Sequence, residues 1–420
     1  MSDAAENKLD AECGRFAQLS GWYRVGGRTI LLTHVPERDF GEPMVLVRKG
    51  DRVFRAHLGD GDQLVVDDGS TLELEGLQRS SDYTERPVAF QAQGLNLAGT
   101  LITPSTDRKH PSVVLVHGAA GGQRDFCRLI AQGFLETGFA ALIYDKRGHG
   151  ESEGPPDPTI FDQAAAASAA IDLLKGQPDL DPHRVGLAGF SNGMWAVPMV
   201  AARRSDVAFV AGIGSPGVTM AESEVHRRVK VLRDAGFSPA ALDHVATAWR
   251  AIFAIASNGS TTPELTEELT LAQAALAADS QARTYEPAGY ARENPMLSPL
   301  PPTSPTSDLL PMLSRAPDPE LSYDPIPDYR AVKCPVLLQY GECDTSVPTK
   351  ESSRRLSAAL ATNTRTSIYV YPGLEHMLNV ATKVDGLSVE ETMYQFRRFV
   401  FGEGVWADLK KWLVQAVPET

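Results

Sequence analysis

Three short segments, SVVLVHG (112–118), AALIYD (140–145) and RVGLAGF (184–190), constrain this 420-residue chain most. Each is apolar at nearly every position, the pattern of a strand covered on both faces. Helical patterns over 125–138 and 161–174 lie between them. Strand and helix in repetition predict a mainly parallel, doubly wound sheet with helices on both faces, hence the α/β class. Strand patterns at PVAFQA and LNLAGTLITP precede the alternation, and CPVLLQYGECD and TSIYVYPG resume it later. TMYQFRRFVFGEGVWADLKKWLVQAV reads as a closing amphipathic helix.

Two regions break the rhythm. From 21 to 76, β-rich runs such as RTILLTHV alternate with turn residues at Lys49, Gly50 and Asp51, at 59–62, and at Asp68 and Gly69. This spacing predicts a small antiparallel sheet or barrel, so residues 1–82 are read as an N-terminal β-rich accessory domain. In the second region, AESEVHRRVKVLRDAG, ALDHVATAWRAIFAIA behind a Ser238 N-cap with Pro239 at N1, and TPELTEELTLAQAALAADSQA read as helices. Ten of the 29 prolines follow within 294–328 and keep regular elements short. Residues 218–327 are therefore read as a helical, Pro-rich cap inserted over the C-terminal edge of the sheet. The cap would divide the catalytic domain into 83–217 and 328–420.

Composition narrows the function. The chain is 43% hydrophobic and 22% charged, as soluble globular proteins are. A formal charge of -13, from 40 basic and 53 acidic residues, argues against nucleic acid or an anionic membrane as partner. No run of about 18 apolar residues occurs, and MSDAAENKLDAECGRF lacks the basic start and apolar stretch of a secretory signal, so a cytoplasmic location is expected. Cys13, Cys127, Cys334 and Cys343 lack CxxC spacing and read as reduced thiols, with Cys127 and Cys334 as buried packing. No metal or organic cofactor is expected.

The chemistry concentrates in GFSNG, residues Gly189, Phe190, Ser191, Asn192 and Gly193. A strand running straight into a helix turns sharply at the serine and lifts its hydroxyl above the sheet, and glycines two residues to either side relieve the crowding. Alone, GxSxG occurs by chance in roughly one such chain in five, so its setting decides. The helix behind the serine supplies N–H groups and a positive dipole end to a developing oxyanion.

A serine nucleophile needs a base, and the base needs an orienting acid. Among nine histidines, His376 in SIYVYPGLEHML follows a downstream strand, whereas His226 and His244 fall in the helical insertion. Asp344 in VLLQYGECDTSVP follows the preceding strand, with Glu342 as its rival. The order Ser191, Asp344, His376 agrees with one known order of nucleophile, acid and base. HGAAGG (117–122), after an apolar strand, suits an oxyanion loop, with the N–H groups of Ala119 and Asn192 as donors. Its glycines lack the spacing of a phosphate loop.

These segments together resemble the α/β-hydrolase superfamily from about residue 86 onward. VVLVHGAAGG is similar to its oxyanion loop, YDKRGHGESEG to the loop after its fourth strand, and DPIPDYRAVKCPVLLQYGECDTSVP to its approach to the acid. The resemblance is strongest to bacterial-type carboxylesterases and to prolyl oligopeptidase-like and serine aminopeptidase-like members. It implies an α/β-hydrolase fold and a Ser-His-Asp hydrolase working through an acyl-enzyme. It also implies structural or substrate-lining roles for Asp145, Arg147 and His149, and support of the oxyanion loop by His117. Serine at the elbow disfavours the dehalogenase and epoxide hydrolase branches, which carry aspartate there.

The expected activity is cleavage of a small to medium apolar or aromatic ester, with Trp249 and Phe253 as candidate substrate contacts at helical spacing. A serine peptidase, amidase or thioesterase would use the same triad, and a ligand receptor on the same fold is the non-enzyme alternative. Pro198, seven residues past Ser191, should kink the helix behind it. The role of the N-terminal sheet, including formation of a homo-oligomer, is left open.

Overall fold

The structure is a computed structural model that describes residues 18–35, 44–59, 63–119, 121–156, 158–285, 298–315, 317–382 and 399–418. It divides into two compact units. The first comprises Met1–Ser215, Asp328–Cys343 and Leu360–Thr420, the second Pro216–Pro327 and Asp344–Ala359.

In the first unit, β1 (Gly21–Val25), β2 (Arg28–Val35), β3 (Met44–Lys49), β4 (Arg52–Leu58), β5 (Gln63–Val66), β6 (Thr71–Glu73) and β7 (Gln78–Arg79) form an antiparallel sheet in the order β6-β5-β4-β3-β2-β1-β7. Gly50 and Gly69 make two of its turns at φ +64° and +84°, where side chains are disfavoured.

The second sheet contains β8 (Tyr83–Ala92), β9 (Leu95–Pro104), β10 (His110–Val116), β11 (Ala140–Tyr144), β12 (Leu180–Phe190), β13 (Val210–Ile213), β14 (Val336–Gly341) and β15 (Thr366–Tyr371). Their order is β15-β14-β13-β12-β10-β11-β9-β8. Pairings among β10 to β15 are parallel, while β9 runs antiparallel to β8 and β11. Every residue of β10 and β11 is buried, as the apolar runs require. Helices α1 (Arg128–Leu135), α2 (Ile160–Lys175) and α3 (Gly193–Arg203) follow β10, β11 and β12 in turn.

The C-terminal segment differs from its sequence pattern. Residues 392–398 lie outside the described residues, as does Cys13. Phe399 and Val400 form a short strand, β16, on β4. Phe399 and Phe401 are buried on either side of a half-buried Val400, which is the period of a strand. The final helix, Val405–Ala416, begins only after Gly404 at φ +86°.

Buried Arg48 on β3 ties the first sheet to the rest of the unit. Its guanidinium donates to the Leu129 carbonyl at 2.5 Å and to the Gly50 carbonyl at 2.9 Å, and stacks between Phe401 and Trp406. Burial pulls its pKa down to about 10.

The second unit is helical. It contains α4 (Met220–Asp234), α5 (Pro239–Asn258), α6 (Pro263–Ala278), α7 (Ser280–Thr284), α8 (Thr306–Leu313) and, after α9 (Ile326–Ala331) at the boundary, α10 (Thr349–Ala359). The Ser238 hydroxyl accepts the Ala241 N–H at 3.2 Å, with Pro239 opening α5. Asp279 ends α6 and caps α7, breaking the helix that the periodicity joins. Trp249 lies at the centre of the core of this unit, fully buried.

Candidate active site

The chain turns from β12 to α3 at Ser191, which adopts φ +51° although it carries a side chain. Left-handed backbone is strained for such a residue, and this strain is fixed by two bonds. The Ser191 N–H donates to the Ile213 carbonyl at 2.9 Å, and the Ser191 carbonyl accepts from the Met194 N–H at 2.9 Å. The two flanking glycines are not equivalent. A Cβ on Gly193 would lie 2.5 Å from the His117 carbonyl oxygen and 2.7 Å from that of Val116, so only glycine fits against β10. At Gly189 the nearest atom, the Met194 sulfur, would be 3.0 Å away, which a flexible side chain can relieve.

Asn192 stands at the N-cap of α3 with helical angles and no side-chain cap. Its side-chain carbonyl instead accepts from Gln163 at 2.7 Å. Among the described residues, neither the Asn192 nor the Ala119 N–H has an acceptor.

The loop after β10 is fastened to the end of β11. His117 donates through Nε2 to the Tyr144 carbonyl. Lys146 Nζ donates to the Gly118 carbonyl at 2.6 Å and to that of Ala119 at 3.1 Å, and the Lys146 N–H donates to Gly122 at 2.8 Å. Burial, with the charge of Lys146 adding to it, pushes the His117 pKa down to about 3, so this imidazole is neutral. Asp145 accepts the N–H groups of Arg124 at 2.7 Å and Glu151 at 3.0 Å. Burial raises its pKa to about 6 against the opposing charge of Arg124. Arg147 pairs with Asp162 at 3.1 Å. The sequence reading weighs Asp145, Arg147 and His149 and misses Lys146, which stands between them two residues past the end of β11, a strand buried throughout.

His376 sits in a loop closed by the pairing of Leu374 with Val380. The Glu375 N–H donates to Asn379 and the Leu378 N–H to Glu375, with Leu378 at φ +58°. The imidazole packs on Gly214, where a Cβ would lie 2.9 Å from Cε1 and 3.0 Å from Nδ1. Gly214 directly follows Ile213, the residue that binds the Ser191 N–H, so serine and histidine meet the same edge of the sheet. Gly214, at φ +56°, is a neighbour of His376 that the sequence does not reveal.

Asp344 belongs to the second unit, three residues past the end of β14. It is 3% exposed, and its Oδ1 accepts the N–H groups of Ser346 and Val347, both at 2.8 Å. His226 Nε2 lies 3.4 Å from the Asp344 carbonyl oxygen. The rival Glu342 is exposed and accepts the Gly373 N–H at 3.1 Å.

Within the helical unit, Trp249 and Phe253 stack at 5.2 Å, and the Arg228 guanidinium lies 4.1 Å from the Trp249 ring. The Trp249 indole N–H donates to the Pro299 carbonyl at 2.9 Å, which satisfies it inside the core. Phe253, in contrast, borders a cavity of about 710 Å³ with Val225, His226, Val229, Arg250 and Leu321.

Behind the elbow, Pro198 lies inside α3 and removes the N–H that would bond the Met194 carbonyl. The hydroxyl of fully buried Tyr329 reaches that carbonyl at 3.4 Å and takes the place of the missing donor. The helix continues past the proline to Arg203.

Among the described residues, no group of three His, Cys, Asp or Glu side chains could hold a metal, and no helix is long and apolar enough to cross a membrane. Cys127 is buried, and Cys334 and Cys343 are half-buried.

The chain is similar to several named proteins. It is 32% identical over 125 residues to the quorum-quenching protein AidA of Acinetobacter baumannii, 29% of this chain and 41% of that one. It is 36% identical over 110 residues to thiohydrolase apmlB of Arthrinium phaeospermum, 26% of this chain and 35% of that one. It is 29% identical over 119 residues to esterase FrsA of Vibrio parahaemolyticus, 28% of each chain. The matches span less than half the length of these relatives. A Pyrococcus furiosus esterase superposes with a TM-score of 0.47 at 16% identity, over 80% of this chain and 92% of its own. Residues 113–383, more than half of the chain, match the model described as the alpha/beta hydrolase family, and the chain belongs to that family.

Proposed function

We propose that the protein is a serine hydrolase that cleaves a carboxylic ester of a small to medium apolar or aromatic substrate. The observation that carries this reading is the strained Ser191, held at φ +51° between β12 and α3 against a glycine that nothing larger could replace. Strain of this kind is kept where function needs the geometry.

In this reading Ser191 Oγ attacks the ester carbonyl carbon while His376 takes the hydroxyl proton. The oxyanion accepts hydrogen bonds from the Ala119 and Asn192 N–H groups. Collapse expels the alcohol with the proton returned by His376, leaving an acyl-enzyme that water opens by the same steps. Asp344 is assigned as the acid that orients His376, by its place in the chain and its burial, and exposed Glu342 is set aside. No metal or cofactor takes part in these steps. Of the two aromatic candidates, Phe253 is the one assigned to acyl contact, because it borders a cavity while Trp249 is enclosed.

Similarity to a protein named thiohydrolase favours one second reading, hydrolysis of a thioester by the same residues. A fluorophosphonate probe tests the common mechanism: wild type should label, and Ser191→Ala and His376→Ala should not. A folded wild type that stays unlabelled, or Ser191→Ala labelling equally, refutes it. Matched oxygen esters and thioesters of increasing acyl length then separate the two readings.

A further inference from the structure

We propose that Lys146 is a positioning residue that aims and polarises the Ala119 N–H toward the oxyanion. This rests on the assignment of that N–H as an oxyanion donor. A trans peptide is planar, and its C=O and N–H point in opposite directions. The Gly118 carbonyl and the Ala119 N–H belong to one such plane. The ammonium of Lys146 holds that carbonyl at 2.6 Å, so the N–H at the other edge of the plane points away from the lysine. The second bond holds the Ala119 carbonyl at 3.1 Å, and the Lys146 N–H holds the Gly122 carbonyl. One residue thus restrains the loop at both ends.

The charge also matters. Lys146 is only 6% exposed, and burying an ammonium is costly. A neutral side chain with a donor group could tie the loop, but a cation draws more electron density from the Gly118 carbonyl than a neutral donor does and so strengthens the Ala119 N–H further as a donor. The positive charge lies in line with the site where negative charge develops, where preorganised dipoles act most strongly. Neutral His117 beside it contributes no second charge.

The test uses the full chain, the variants Lys146→Met and Lys146→Gln, and an alkyl trifluoromethyl ketone. Ser191 Oγ bonds the ketone carbon and the ketone oxygen becomes the oxyanion, whose pKa a fluorine NMR titration reads. Lys146→Met removes donor and charge, whereas Lys146→Gln removes the charge and keeps an N–H donor one atom nearer the backbone, so the test stands if the methionine variant does not fold. In both folded variants the hemiketal pKa should rise by about one unit or more. Removing a whole oxyanion donor costs roughly a hundred- to thousandfold in kcat, so losing its polarisation should cost roughly ten- to a hundredfold. KM should stay within about threefold, because the oxyanion forms only in the transition state. A wild-type hemiketal pKa in folded variants, or a loss confined to KM, overturns the inference. A wild type that forms no adduct overturns the Ser191 reading and this inference together, which distinguishes the two failures.

Discussion

The strain at Ser191 can be measured by comparing two variants that both lack the hydroxyl, Ser191→Ala and Ser191→Gly. At φ +51° an L-residue pays roughly 1–2 kcal/mol for the approach of its Cβ to the backbone, and glycine pays nothing. Glycine gives back roughly 0.5–1 kcal/mol through its greater freedom in the unfolded chain. The glycine variant should therefore be the more stable by about 1 kcal/mol, since neither variant keeps a serine hydrogen bond. In a unit of this size that corresponds to a rise in Tm of about 2 °C, within reach of scanning calorimetry at a fixed scan rate. Neither variant should label with a fluorophosphonate. If Ser191→Gly melts at or below Ser191→Ala, the backbone is not paying for the elbow, and strain cannot be the reason that this serine stands out.

Two further expectations come from the same region. Tyr329→Phe should cost about 1 kcal/mol by orphaning the Met194 carbonyl, and markedly less in a Pro198→Ala background, where a backbone N–H is restored; equal costs in both backgrounds would break the link. The His117 pKa falls from 6.5 to about 3 on folding, so the unfolded chain takes up this proton first. The stability contributed by neutral His117 is complete above pH 6.5 and is lost as pH falls toward 3. His117→Gln, which keeps a donor for the Tyr144 carbonyl, should show a shallower loss of Tm over that window.

The parallel sheet was legible because burial on both faces writes itself into every position of a strand, and 112–118 and 140–145 carry that signature without interruption. The elbow was legible for a related reason: a glycine forced by backbone contact, as Gly193 is against Val116 and His117, has no substitute. What the sequence hid depends on pairings between distant residues. Phe399 and Phe401 alternate with Val400 inside a run that otherwise reads as one closing helix, and the strand that pairs with them, β4, lies far away in the sequence. Pro198 reads as a break until Tyr329, 131 residues later, supplies the missing donor. Trp249 and Phe253 share one helical face and both lie beneath Arg228, yet one is enclosed with its indole N–H bound to Pro299 and the other borders a cavity, a distinction that periodicity does not carry. Lys146 is hidden for the same reason as Tyr329: its role lies in which carbonyls it reaches, and carbonyls carry no sequence signal. Residues that act through their own chemistry are visible in the chain, whereas residues that act by orienting a backbone become visible only when the backbone is seen.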